Sequence, residues 1–162
     1  MIREELARAN VLTGPPRSCE TRRHMNEAER YLVRPIGVVR STLRAVSDAP
    51  NQAFEGAPEA LLEIDSAFAG ALHRIEPGDE LIVLTWLHLA DRDVLQTHPM
   101  GDERIPLTGV FRTRSPGRPN PIGLHRVTVT AREGAATLRV GALEAIDGTP
   151  IIDLKIGMRR RE

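Results

Sequence analysis

Glu80–Leu89 reads ELIVLTWLHL. Both alternating faces of this run are apolar, which is the pattern of a central strand covered on each side. Downstream, His125–Arg132 places Val127, Val129 and Ala131 on one face and polar residues on the other, and Thr137–Ala142 repeats this with Leu138 and Val140. Ile151–Ile156 is expected to turn Ile152, Leu154 and Ile156 inward, with Asp153 and Lys155 opposite. Upstream, Ala60–Ile64 is short and apolar, and Tyr31–Arg40 (YLVRPIGVVR) is mostly β-favouring. Asp65–Ile75 reads as a short helix, N-capped by Asp65 and stopped by Pro77-Gly78. Short strands separated by Gly/Pro turns, with little helix, predict an all-β fold: a small closed or nearly closed barrel.

The chain has 162 residues, enough for one ordinary domain. Residues 1–30 are rich in Arg and Glu and broken at Gly14-Pro15-Pro16, so they are expected to form a polar arm with a short helix at Arg3–Ala9. The barrel is expected over 31–157 and a basic tail over 158–162. Aromatic residues make up only 3%, so the core must rest on Val, Leu, Ile and Ala. Lys+Arg and Asp+Glu are both 22, giving no net charge, and any nucleic-acid contact must use a local patch. The single cysteine, Cys19, excludes an internal disulfide and a Cys-based zinc site, which points to the cytosol. The charged N-terminus has no signal-peptide core, and no apolar run approaches membrane-spanning length, so no membrane partner is expected. The glycine-rich turn of dinucleotide folds, G-x-G-x-x-G, is absent, and a nucleotide-like ligand must be held another way.

The densest chemistry lies in Gly109–Leu124, GVFRTRSPGRPNPIGL. Pro116, Pro119 and Pro121 fix φ along it and restrict the residues before them. Such a stiff loop presents Arg112, Arg114, Ser115, Arg118 and Asn120 as donors in a set geometry. From Arg104 to Arg132 the chain carries six arginines and no carboxylate, a basic patch hidden in a neutral total. His88, Asp91 and Asp93, with His98 nearby, match no standard metal spacing, and His88 reads better as a pocket-wall residue than as a ligand. No metal site is expected. Asp147-Gly148-Thr149-Pro150 is an ordinary turn signal that also offers a carboxylate for a ribose hydroxyl or a cationic group. Ala49-Pro50-Asn51-Gln52 is a short polar loop that says nothing alone.

These pieces, in this order, resemble the TsaA-like family, whose members include the TrmO tRNA methyltransferases. Pro35–Ser41 resembles its opening I-G-x-[IV]-R-S; Gly109–Leu124 its R-S-P-x-R-P-N-P-I-G signature, with Arg112 in place of a small residue. Leu143–Lys155 resembles its L-D-x-x-D-G-T-P element, with Glu144 in place of Asp and Ile156-Gly157 where Pro-Tyr is usual. The resemblance runs from about Leu32 to Lys155. It implies a small barrel that binds S-adenosylmethionine, usually as a homodimer, and methylates the threonylcarbamoyl-modified adenosine next to the anticodon of certain tRNAs. By motif, it implies cofactor contacts at Pro50, Asn51, Gln52, His88, Leu89, Arg114, Leu124 and Asp147 to Pro150 (Gly148 and Thr149 between them). Longer relatives carry a further C-terminal domain, and Arg159–Arg161 is expected to substitute for it as a phosphate anchor.

Methyl transfer from a sulfonium is an in-line displacement, so the protein must align donor and acceptor in a site cleared of water. An amide-like nitrogen is a poor nucleophile and profits from a base; Asp147 and His88 are both candidates. Arg112, Arg118, Asn120 and Arg126 are the expected substrate contacts. Two rival readings stay open: a methyltransferase acting on a small metabolite, and a non-catalytic barrel that binds S-adenosylmethionine or RNA.

Overall fold

Strand alternation becomes six hydrogen-bonded neighbours closed into a ring in the computed structural model of the chain, which describes residues 31–50 and 52–157. The expected arm at 1–30 with Cys19, the cofactor-loop residue Asn51 and the basic tail at 158–162 lie outside the described residues. The strands are β1 (Gly37–Arg40), β2 (Glu59–Ile64), β3 (Glu80–Trp86), β4 (Gln96–Thr97), β5 (Thr108–Gly109), β6 (Ile122–Arg132), β7 (Thr137–Ala142) and β8 (Pro150–Ile156). Around the barrel the order is β1-β2-β7-β6-β3-β8, every pair antiparallel, with β8 returning to β1. β4 and β5 form a separate two-stranded ribbon. The architecture is the all-β barrel that the periodicity predicts.

The inward side chains are aliphatic, as the scarcity of aromatics requires. Val39, Leu62, Leu81, Val83, Val129, Leu138, Val140 and Ile151 are all essentially inaccessible. β6 keeps the alternation read from sequence, with Val127 and Val129 buried between exposed Arg126, Thr128 and Thr130. At Gly37 a Cβ would fall onto the backbone carbonyl of Glu63 across the β1–β2 pairing, so only glycine lets β1 lie this close.

Four local expectations change. β3 ends at Trp86, not Leu89, because its partner strand begins at Ile122: the preceding Pro121 has no N–H and contributes only its carbonyl, to Leu87 N at 2.8 Å. On β8 the inward residue is Ile151, not Ile152. Leu84 pairs with Asp153 and Thr85 with Ile151, so Ile152 is the extra residue of a bulge and the alternation slips by one. Leu154 still packs on the core, whereas Ile156 is 60% exposed at the strand end. Tyr31–Arg40 forms strand only from Gly37. The expected helix is a 3-10 helix at Ser66–Leu72, capped by the Asp65 carboxylate accepting from Ala67 N at 2.9 Å. Among the described residues no helix is long and apolar enough to cross a membrane.

Candidate functional site

The strand registers put three connections of the ring on one mouth. The C-termini of β1, β3 and β7 and the N-termini of β2, β6 and β8 all meet there. The connections leaving that mouth are 41–58 between β1 and β2, 87–121 between β3 and β6, and 143–149 between β7 and β8. Pro50 and Gln52 lie on the first, His88, Leu89, Arg112, Arg114, Arg118 and Asn120 on the second, and Asp147–Thr149 on the third, with Pro150 opening β8. Leu124 and Arg126 lie on the first half of β6, pointing outward beside the same mouth. The opposite end carries a tight hairpin at 133–136 and the capped 3-10 helix.

The turn at Asp147 is tied down by its own chain. Thr149 N and Oγ1 both donate to the Ile146 carbonyl, at 3.2 and 2.8 Å, and Gly148 takes the left-handed φ of 76° that the turn needs. Asp147 accepts from Ser41 N at 3.1 Å through one oxygen and pairs with Arg44 through the other. Asp147 N donates to Leu43 O at 2.8 Å, fastening this turn to the β1–β2 connection. Both oxygens of this candidate base are therefore already engaged. His88 and Leu89 sit in the turn after β3, exposed rather than on the strand face expected for a pocket wall.

The signature loop is stiffened from inside. The Arg118 guanidinium donates to the carbonyls of Ser115 (2.8 Å), Val110 (3.1 Å) and Thr113 (2.6 Å), while Val110 is buried and its N–H donates to the Leu95 carbonyl at 3.0 Å. The six arginines of the acid-free run divide by partner. Arg104 is held bidentately by Asp102, whose carboxyl it pulls below the usual range. Arg132 caps the carbonyls of Leu72 and Ile75 at 2.9 and 3.0 Å. The guanidiniums of Arg112, Arg114 and Arg126 are exposed and make no ion pair among the described residues.

One polar group was not singled out in the sequence. His125 points into the barrel, 5% exposed, between Thr85 Oγ1 on its Nε2 (2.9 Å) and Glu144 Oε1 on its Nδ1 (2.8 Å). A signal existed: His125 shares the inward parity of Val127 and Val129. Burial pushes the Glu144 carboxyl up, but the hydrogen bond and charge of His125, its own backbone amide and the charge of Arg114 outweigh this. The group lies below the ordinary carboxylate range. With Glu144 ionised, the His125 Nδ1–H donates to it, and Nε2 shares the second hydrogen bond with the Thr85 hydroxyl. Gly123 makes room, since a Cβ there would overlap Thr85 Oγ1 and approach His125 Nε2 to 2.6 Å. Among the described residues no three His, Cys, Asp or Glu side chains gather as a metal cluster; His98 instead bonds the Ile105 carbonyl at 2.7 Å.

Residues 38–159 match the family described as tRNA-methyltransferase O N-terminal domain. A probable S-adenosyl-L-methionine-binding protein of Methanothermobacter thermautotrophicus is 43% identical over 123 residues, 76% of this chain and 87% of that protein. An S-adenosyl-L-methionine-binding protein of Archaeoglobus fulgidus is 43% identical over 124 residues, again 76% and 87%. Crystal structures of TrmO from Pseudomonas aeruginosa superpose with TM-scores of 0.64 and 0.65 at 30% and 28% identity, covering 82% of this chain. The chain spans 56% and 58% of the length of those two solved chains.

Proposed function

Because the chain belongs to the tRNA-methyltransferase O N-terminal domain family, we propose that it is an S-adenosylmethionine-dependent methyltransferase acting on threonylcarbamoyl-modified adenosine beside the anticodon of tRNA. The observation that carries this reading is the convergence of three connections, each bearing an expected cofactor contact, on one barrel mouth. The groups there suit the ligand. Arg114 offers a bidentate partner for a carboxylate, Glu144 an ionised acid, and exposed Leu89 and Leu124 apolar surface for a nucleoside.

When bound, the cofactor supplies an electrophilic methyl group on a sulfonium. The chain supplies orientation, exclusion of water and a place for the departing proton. Arg118 holds the signature loop in one shape, so Arg114 is presented without a large ordering cost. Asp147 is spent on Ser41 and Arg44, which leaves exposed His88 as the freer of the two candidate bases for the acceptor nitrogen. Arg112 and Arg126, unpaired and exposed beside the mouth, suit substrate phosphates, and Asn120 is exposed on the same loop.

The partner arrangement in this reading is a homodimer in the cytosol. β3 and β6 turn Leu84, Trp86, Ile122 and Leu124 outward in adjacent pairs, and Ile122 and Leu124 are 43% and 54% exposed in the single chain. A second substrate reading, a small metabolite, is favoured by one fact: half of the arginines in the acid-free run are consumed by internal partners.

The test is tritiated-methyl transfer from S-adenosylmethionine to anticodon stem-loops with and without the threonylcarbamoyl group, beside a small-molecule extract. Label in the modified RNA alone is expected. Label only in the extract moves the acceptor to a metabolite, and binding without any transfer leaves a non-catalytic module.

A further inference from the structure

β8 runs on past one of its partners. β1 pairs with it only at Pro150 and Ile151, and Ile36 N bonds Ile151 O at 2.8 Å. On the other side β3 stays paired as far as Ile156. Gly157 N donates to Glu80 O at 2.7 Å, so by alternation the amides of Leu154 and Ile156 face away from β3, toward the side that β1 has left. The Leu154 amide bears this out: its acceptor is the neighbouring Asp153 carboxylate, at 2.9 Å, and not a strand. Among the described residues no strand covers this stretch of edge. A cavity of about 120 Å³ is lined by Ile36, Phe68, Leu154 and Ile156 among others, and Ile156 is 60% exposed. A proline at such a position blunts an edge by removing a donor. Where the family motif carries that proline, this chain has Ile156 and keeps the N–H.

The run along this edge is Ile152-Asp153-Leu154-Lys155-Ile156. In either direction it alternates apolar and charged, and its two charges are opposite in sign. We propose that the open edge of β8 binds a second copy of this chain, edge to edge and antiparallel about a two-fold axis at Leu154. Such an axis sets Asp153 of each copy opposite the partner's Lys155, the cross-strand arrangement that opposite charges favour. In the single chain these two side chains pair with each other at 2.6 Å and remain 46% and 61% exposed. The Leu154 amide exchanges its carboxylate cap for a carbonyl of the second strand, so no donor is left without a partner. The bulge at Ile152 keeps the pairing short, and the contact is therefore weak, forming at high concentration. It lies at the opposite end of β3 from Trp86 and Ile122, so it joins copies independently of the homodimer proposed through the outward row on β3 and β6.

The experiment is sedimentation equilibrium on the whole chain from about 5 to about 500 μM, beside amide exchange at the same concentrations. The average mass is expected to rise across this range, and exchange at Leu154 and Ile156 to slow as it does. Asp153→Lys sets like charges opposite each other and should weaken the association roughly three- to thirty-fold. The double variant Asp153→Lys/Lys155→Asp is self-complementary again and should recover it. Ile156→Pro, at an exposed strand end, removes one edge donor and should also weaken it. This variant leaves Asp153 in place and carries the test should the Asp153 variants not fold. Leu124→Asp should leave the rise intact. A mass that does not rise, or a rise that survives Asp153→Lys or Ile156→Pro in folded protein, overturns the edge contact. A folded double variant that fails to recover overturns it too, because the facing strand would then not be a second β8. A rise lost in Leu124→Asp assigns the association to the row on β3 and β6 and equally overturns the proposal.

Discussion

A buried histidine is tolerated only when both ring nitrogens are satisfied, and His125 meets that condition through Thr85 and Glu144. The space for it comes from Gly123, so Gly123→Ala is expected to cost about 1–3 kcal/mol of stability, the usual penalty for overpacking. Urea unfolding measures this against Gly141→Ala on β7, where an added Cβ meets its nearest neighbour only at 3.8 Å and little change is expected. Equal stability of the two variants would mean that the Thr85–His125 contact does not depend on that space. The depressed carboxyl of Glu144 has a signed consequence. A group with a lowered folded pKa stabilises the fold above its unfolded value of about 4.3 and loses that contribution as pH falls below it. Wild type should therefore exceed Glu144→Gln in stability by a constant margin near neutrality. That margin should shrink on acidification below about pH 4.3; a margin flat to lower pH would refute ionisation of Glu144 as its source.

The signature loop behaves as an element although it contains almost no regular structure. Its prolines limit the unfolded chain, and Arg118 supplies the donors that a strand partner would otherwise provide. Arg118→Met keeps most of the stem and removes those donors. We expect amide exchange across 110–118 to accelerate by roughly ten-fold or more, from loss of about 1–3 kcal/mol of local stability, while the barrel strands exchange as before. Unchanged exchange in the loop would assign its rigidity to the prolines alone. The same element shows what sequence could express. Proline spacing made stiffness legible at once, but all five loop donors looked equivalent. Only the fold distinguishes the guanidinium turned inward at Arg118 from those left outside at Arg112 and Arg114.

For the whole molecule, antiparallel closure puts the candidate site and an exposed apolar row on neighbouring surfaces. The outward row on β3 and β6 begins at the same mouth as the candidate site, and Leu124 belongs to both. Light scattering of the wild-type chain is expected to give a dimer at micromolar concentration, and Leu124→Asp a folded monomer, because its side chain points away from the core. A monomeric wild type would remove the dimer from the proposed arrangement. If the dimer completes the site, dilution should also weaken binding of S-adenosylhomocysteine, in step with dissociation.

Composition and alternation by themselves determined a small, aliphatic, all-β barrel. Period-two burial is a local property, and it is written plainly in Val127-Thr128-Val129-Thr130. The stiff arginine loop and the Asp-Gly turn were also legible, because proline and glycine act on their own backbone. Three matters were left to tertiary structure. Strand register decides which loops share a mouth, and a single bulge at Ile152 reverses the inward face of β8. Partner choice decides that Arg104, Arg118 and Arg132 are internal ties while Arg112, Arg114 and Arg126 are not. The coupling of Thr85, His125 and Glu144 joins residues 40 and 19 positions apart. No local pattern encodes such a pairing; it exists only because closure of the barrel brings β3, β6 and the connection after β7 into hydrogen-bonding distance.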